Sequence, residues 1–186
     1  LVLLMTGLNS FSHGTQDLYP TFLKTVHHLS ARATSGIAII ATLGALCGGP
    51  AWGALSERWG RRRALAASAL LALPIVPLWS WSHSLLLLGM GGFLMQFMVQ
   101  GAWGIVPAHL NELSPAPLRA LLPGLAYQLG NLISSRNGVL QAKMASRWAG
   151  GSLAPVMAWT VVGVGMFVAL VAILGREARG ADFTAS

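Results

Sequence analysis

Residues 64–111, ALAASALLALPIVPLWSWSHSLLLLGMGGFLMQFMVQGAWGIVPAHLN, run for 48 positions without one Asp, Glu, Lys or Arg. A helix needs about 20 mostly apolar residues to cross a bilayer, so this run holds two crossings, hinged at the short polar and aromatic SWSHS, 80–84. Outward from it, 24 uncharged residues separate Arg32 from Glu57 and 28 separate Arg147 from Arg176, room for one crossing each. The 186-residue chain is 54% hydrophobic and only 9% charged, with a mean hydropathy of +0.63. A soluble domain carries about 25% charged residues. The sequence therefore predicts an all-α fold, a polytopic transmembrane helical bundle.

Six spans fit the pattern: 1–23, 33–56, 62–80, 85–108, 118–136 and 154–174. The expected organisation is one membrane domain, 1–176, and a short cytoplasmic tail, 177–186. Six crossings place Arg58, Arg61, Arg62, Arg63, Arg119, Arg176 and Arg179 on one side, and Lys24, Arg32, Arg136, Lys143 and Arg147 on the other. Basic residues close to span ends favour the cytoplasmic face. The four arginines packed into 58–63 therefore put that turn, 109–119 and the tail inside. Trp79, Trp81 and Trp148 read as interfacial anchors. The net charge of +7 reports orientation more than nucleic-acid binding, because the arginines flank apolar runs. A single cysteine, Cys47, excludes an internal disulfide. The start, with neither Met nor a basic leader, suggests a piece of a longer chain.

Two stretches carry chemistry. In LNSFSHGTQDLYPT, 8–21, Asn9, Ser12, His13, Gln16 and Asp17 fall within about 140° of one helix face. An Asp at mid-membrane costs about 2.5–3.5 kcal/mol on insertion scales, so it should face a cavity or a partner. His13 and Asp17, four apart, can share a proton. Polar groups can also serve only to join helices, but five on one face with an acid among them favour a transport pathway. Gln96 with Gln100, and Gln128 with Asn131, are further pairs on one face each, balanced between helix contact and cavity lining. In the second stretch, GALCGGPAWGALSERWGRRR, 44–63, the glycine spacing allows close helix approach. Gly53, Glu57, Arg58, Gly60, Arg61 and Arg62 make a carboxylate–arginine latch at two helix ends, able to hold one conformation and release in another. His27 and His28 lack the spacing of a metal site, and His109 reads as interfacial.

Asn9–x–x–Ser12–His13–x–Thr15–Gln16–Asp17–x–x–x–Thr21 resembles the signature N-x-x-[S/T]-H-x-[S/T]-Q-D-x-x-x-T of the carboxylate:proton symporters of the major facilitator superfamily, the lactate/pyruvate permease and sialate symporter group. Residues 53–63 resemble the loop after that family's eighth helix, with Glu57 in place of the usual Asp. The segment 111–135 is similar to the one joining its tenth and eleventh helices. The resemblance implies the C-terminal six helices of a twelve-helix carrier. It places proton coupling and the translocation path on Asn9, His13, Gln16, Asp17 and Gln128. It also implies a missing N-terminal six-helix half that brings cationic groups to the substrate carboxylate, since the pattern places no basic residue of this chain at mid-membrane.

The expected function is proton-coupled symport of a small organic carboxylate, lactate- or pyruvate-like or sialate, in the plasma membrane, a bacterial inner membrane. No cofactor and no metal are expected, and the partners are the carboxylate, the proton, the lipid bilayer and the missing half. An anion exchanger or facilitator is the nearest alternative, and a non-transporting scaffold or sensor built from half a carrier is the other. No phosphate-binding glycine loop and no nucleophile–base spacing argues for an enzyme. Four basic residues on one short turn do not make a nucleic-acid surface.

Overall fold

The structure is a computed structural model that describes residues 1–177, 179 and 180. Among these there is no strand, and ten α-helices follow one another: α1 (Val2–Gln16), α2 (Tyr19–Thr25), α3 (Ala31–Trp59), α4 (Arg61–Ala72), α5 (Val76–Ser80), α6 (Leu85–Val99), α7 (Val106–Leu113), α8 (Leu122–Ser134), α9 (Asn137–Trp148) and α10 (Leu153–Leu174). The expected tail lies partly outside the described residues, at 178 and 181–186.

Four stretches are long and apolar enough to cross a membrane: Ala31–Trp59, Arg61–Ser80, Leu85–Leu113 and Leu153–Leu174. Their interruptions follow the local sequence. Pro74 and Pro77 withhold backbone N–H groups, and a 3-10 turn at Leu73–Ile75 carries the chain from α4 to α5. Between α6 and α7, Gly101 and Gly104 weaken the helix, Pro107 withholds its N–H, and a 3-10 turn at Gly101–Gly104 carries the chain across.

The first expected span is broken in two, and the fifth, expected over 118–136, carries one helix, α8, and runs on past a turn at its end into α9. α1 stops at a turn through Asp17–Leu18, before Pro20, which has no N–H to continue the ladder. α8 stops at a turn through Ser135–Arg136, where Ser134 and Ser135 send their hydroxyls back to carbonyls three and four residues earlier. The fifth segment also departs from expectation in extent. The stretch with Lys143 and Arg147, which reads in the sequence as a connection beyond residue 136, is helical to Trp148, because Gln141 and Ala145 bury one face of α9. A second correction concerns Trp79. It is fully buried and stacks on Tyr19 with ring centroids 4.9 Å apart, so it is no interfacial anchor. Trp81 and Trp148 are exposed.

Close helix contacts use the glycines. A Cβ on Gly44 or Gly48 would collide with the backbone carbonyls of Phe93 or Phe97, so α3 and α6 touch backbone to backbone. In lipid, where apolar side chains gain little by leaving one greasy solvent for another, such proximity supplies the van der Waals attraction that joins helices. Gly130 does the same for α8 on α1, where a Cβ would sit 2.7 Å from the Met5 Cβ. The two segments thus lie side by side.

Candidate functional site

The polar face of α1 is divided among three neighbours. His13 reaches Asp17 through Nδ1, 3.1 Å from Oδ2, and Asn131 on α8 through Nε2, 3.0 Å from Oδ1. The imidazole therefore bridges the last turn of α1 to the last turn of α8. As placed, Asp17 and Asn131 both present oxygens to His13, which suits a ring carrying a proton on each nitrogen; rotating the Asn131 amide would suit the neutral ring. The His13 and Asp17 side chains are partly exposed, 33% and 40%.

Towards α6 lies a chain of neutral groups. Gln16 Nε2 donates to Gln96 Oε1 at 2.8 Å, and Gln96 Nε2 donates to Thr15 Oγ1 at 3.3 Å. One turn away, Gln100 Nε2 donates to Ser12 Oγ at 2.7 Å. Thr15, Gln16, Gln96 and Gln100, with Tyr19 and with Ala41 and Thr42 of α3, line a cleft of about 400 Å³. No Lys or Arg lines it. A carboxylate entering it meets amide and hydroxyl donors but no compensating charge from this chain.

The expected pathway residues are not all brought together. Gln16, Gln96 and Gln100 share the cleft, Ser12 is tied to it through Gln100, and His13, Asp17 and Asn131 share the hydrogen-bonded bridge. Asn9 is buried and donates to the Met5 carbonyl of its own helix at 2.9 Å. Gln128 stands exposed on α8, next to Tyr127, whose ring meets Trp103 edge-on. Three further residues belong to the site without being among those expected: Thr15, Asn137 and Gln141. Asn137 Nδ2 donates to Ser10 O at 2.8 Å, and Gln141 Nε2 to Gly14 O at 3.1 Å. Thr15 is constrained in the motif and could have been selected on that ground. The α9 amides carry no sequence signal, because the stretch reads as a polar connection.

At the α3–α4 junction the latch differs from expectation in its partner. Arg61, almost fully buried, pairs with Glu112 at the end of α7, Nη2 to Oε1 at 3.0 Å, and its Nη1 donates to Ser56 Oγ at 2.6 Å. Glu57 and Arg58 are exposed, and among the described residues Glu57 forms no ion pair. The carboxylate of Glu177 accepts the Arg61 and Arg62 N–H groups at the start of α4, at 3.3 and 3.1 Å. Arg62 Nε donates to Ala172 O, and Arg179 Nη1 to the Glu57 and Arg58 carbonyls. Gly60 makes the corner at φ +95°, where a side chain would be strained. Gly53 lets the Gly104 backbone pass, with 3.2 Å from its would-be Cβ to the carbonyl oxygen. Glu112 and Glu177 lie 51 and 116 residues from Arg61, too far for any spacing rule to connect.

At the opposite end, His27 packs its ring edge-on to Phe22 and 6.0 Å from that of His83. Burial, and the nearby His83 and His28, hold its pKa below the ordinary histidine value. Among the described residues no three His, Cys, Asp or Glu side chains gather as metal ligands.

Comparison with known proteins places the chain among transporters. The family model for sugar (and other) transporters matches residues 6–176. The chain is 40% identical over 149 residues to a carboxylic acid transporter protein homolog of Saccharomyces cerevisiae, covering 80% of this chain and 24% of that protein. It is 34% identical over 125 residues to a citrate-proton symporter of Klebsiella pneumoniae, covering 61% and 27%. The chain thus spans about a quarter of the length of either relative.

Proposed function

The chain belongs to the sugar (and other) transporter family, and on that premise we propose that it forms the second six-helix half of a proton-coupled carrier for a small organic carboxylate. It is a multi-pass membrane protein of a family that transports without covalent chemistry, related to a carboxylic acid transporter homolog and to a citrate-proton symporter. The observation that carries the reading is the His13 bridge. An imidazole paired with an acid on one broken helix is hydrogen-bonded to an amide on α8, beside a cleft lined by neutral donors. Broken helices at mid-membrane are where carriers commonly place substrate and coupling ion.

In this reading a proton enters at His13 and Asp17, and the substrate rests against Ser12, Gln16, Gln96 and Gln100. Asn131 reports the proton to α8, and Gln128, exposed on the same helix, meets the complementary six helices. Those helices supply the cation that the cleft lacks, since a desolvated carboxylate on amides alone would be poorly compensated. Asn9 sets the packing beneath the site. Gly53, Gly60, Arg61 and Arg62, joined by Glu112 and Glu177, hold the cytoplasmic ends of the helices in one conformation, and exposed Glu57 and Arg58 flank that latch. The membrane is a plasma membrane, a bacterial inner membrane, with the arginine-rich turn inside. Lactate, pyruvate, citrate and sialate are the substrates to test.

The experiment is uptake of each radiolabelled acid into vesicles carrying the full-length carrier, driven by an imposed pH gradient. Asp17→Asn and His13→Ala are expected to lower gradient-driven uptake by about a hundredfold, the range seen when a positioned proton-transfer group is lost. Uptake that survives collapse of the gradient would instead identify an exchanger or facilitator. Uptake unchanged in both variants would remove the bridge from the mechanism.

A further inference from the structure

α1 and α9 are joined by two amide rungs of equal sequence offset. Asn137 and Gln141, four apart on α9, donate to the carbonyls of Ser10 and Gly14, four apart on α1. The offset is 127 residues at both rungs, so the two helices run in the same direction at the contact. Gly14 makes the approach possible. A Cβ there would stand 3.1 Å from both Asn137 Nδ2 and Thr160 Cγ2.

The lower rung lies where α1 stops. The last regular bond of its ladder runs from the Asp17 N–H to the His13 carbonyl, at 3.1 Å, and the chain then turns through Asp17–Leu18. The next carbonyl, that of Gly14, receives a side-chain amide from another helix. Gly14 lies inside the turn that sets His13 against Asp17, so whatever holds its carbonyl also holds the spacing of that pair. Gln141 is about 1% exposed, and its Oε1 is buried with no hydrogen-bond partner. Gln141 thus gives up water at its carbonyl end while its amide end holds the Gly14 carbonyl.

We propose that Gln141, with Asn137, is a positioning residue for proton coupling, holding the terminal turn of α1 in the register at which His13 meets Asp17. The inference rests on the reading of His13 and Asp17 as the proton site. Asp17 is the charged group facing His13. α8 offers the uncharged Asn131, α9 the uncharged Asn137 and Gln141, and α6 the uncharged Gln96 and Gln100. Loosening the turn therefore acts chiefly by weakening the Asp17 contact, and transport then needs a higher proton concentration.

Two measurements on the full-length carrier test this. In the first, hydrogen exchange followed by mass spectrometry reads the amides of 11–18 in wild type and Gln141→Leu, with no transport required. Faster exchange confined to that segment is expected, and unchanged exchange overturns the clamp whether or not the protein transports. In the second, uptake is followed against external pH in Gln141→Leu, Asn137→Ala, Gly14→Ala and the Gly14→Ala/Gln141→Leu pair. Each single variant is expected to need about threefold more protons for half-maximal uptake, a shift of about half a pH unit. The double variant should shift no further, because an added Cβ, 3.1 Å from Asn137 Nδ2 and Thr160 Cγ2, parts α9 from α1 and so already loosens the rung that Gln141→Leu removes. A fall in maximal rate or in amount of protein, with the proton dependence unmoved in all variants, overturns the positioning role. Wild-type uptake that is indifferent to the proton gradient would instead remove the proton reading itself, leaving the clamp to be judged by exchange alone.

Discussion

Arg61 and Glu112 show how much a single residue can carry in this bundle. Their side chains are 11% and 6% exposed, so each ion has surrendered most of its water to the other. Removing one partner of such a pair leaves a buried charge and typically costs about 3–5 kcal/mol. Glu112→Gln is expected to lower the thermal unfolding midpoint in detergent by several degrees, whereas Glu57→Gln, on an exposed side chain, should leave it unmoved. Equal effects from the two variants would return the latch to Glu57, where local spacing puts it. Arg61 is legible from its place in the basic turn, but its partner is not. A carboxylate 51 residues away becomes a neighbour only when α7 folds back beside the α3–α4 corner. The His13–Asp17 pair is legible for the opposite reason, since residues four apart on a helix meet whatever the tertiary structure does.

At the scale of the element, the α3–α6 contact is set by glycines four apart, and it has no slack. Gly48→Leu should force the two backbones apart and cost at least about 1–3 kcal/mol, as overpacking does, measured as lost stability or lost expression of folded protein. Gly36, whose would-be Cβ meets nothing within 4 Å, should accept Ala without penalty. The connection between α2 and α3 yields a pH prediction. His27 has its folded-state pKa lowered by burial and by the neighbouring His83 and His28. A histidine that is harder to protonate when folded than when unfolded contributes its full stability above the unfolded value, about 6.5, and loses it as pH falls through the lower folded value. The unfolding midpoint should therefore drop on acidification from about pH 7.5 to about pH 5, and His27→Gln should flatten that drop. An unchanged slope in the variant would mean that other groups govern acid sensitivity.

On the proposed reading, the whole molecule is half of a site. Its cleft offers hydroxyls and amides without a cation, and Gln128 and Tyr127 stand exposed on α8. Reconstituted by itself, the chain is expected to give no gradient-driven uptake, and co-reconstitution with the complementary six helices should restore it. Uptake by the chain alone would show that the missing charge is not needed.

The apolar runs determined by themselves that the fold is all-α and membrane-spanning, because hydrocarbon admits only segments that satisfy their own backbone hydrogen bonds. Local spacing likewise determined the polar face of α1 and the tight glycine contacts. Only the tertiary structure decided that the first segment is broken and adjacent to the fifth, and that His13 turns to Asn131. It alone decided that α9 is a helix with two amides on α1, and that Arg61 answers to Glu112. The contacts of His13, Arg61 and Gln141 each join residues roughly fifty to more than a hundred positions apart. They depend on how whole helices cross, and no periodicity along the chain encodes a crossing.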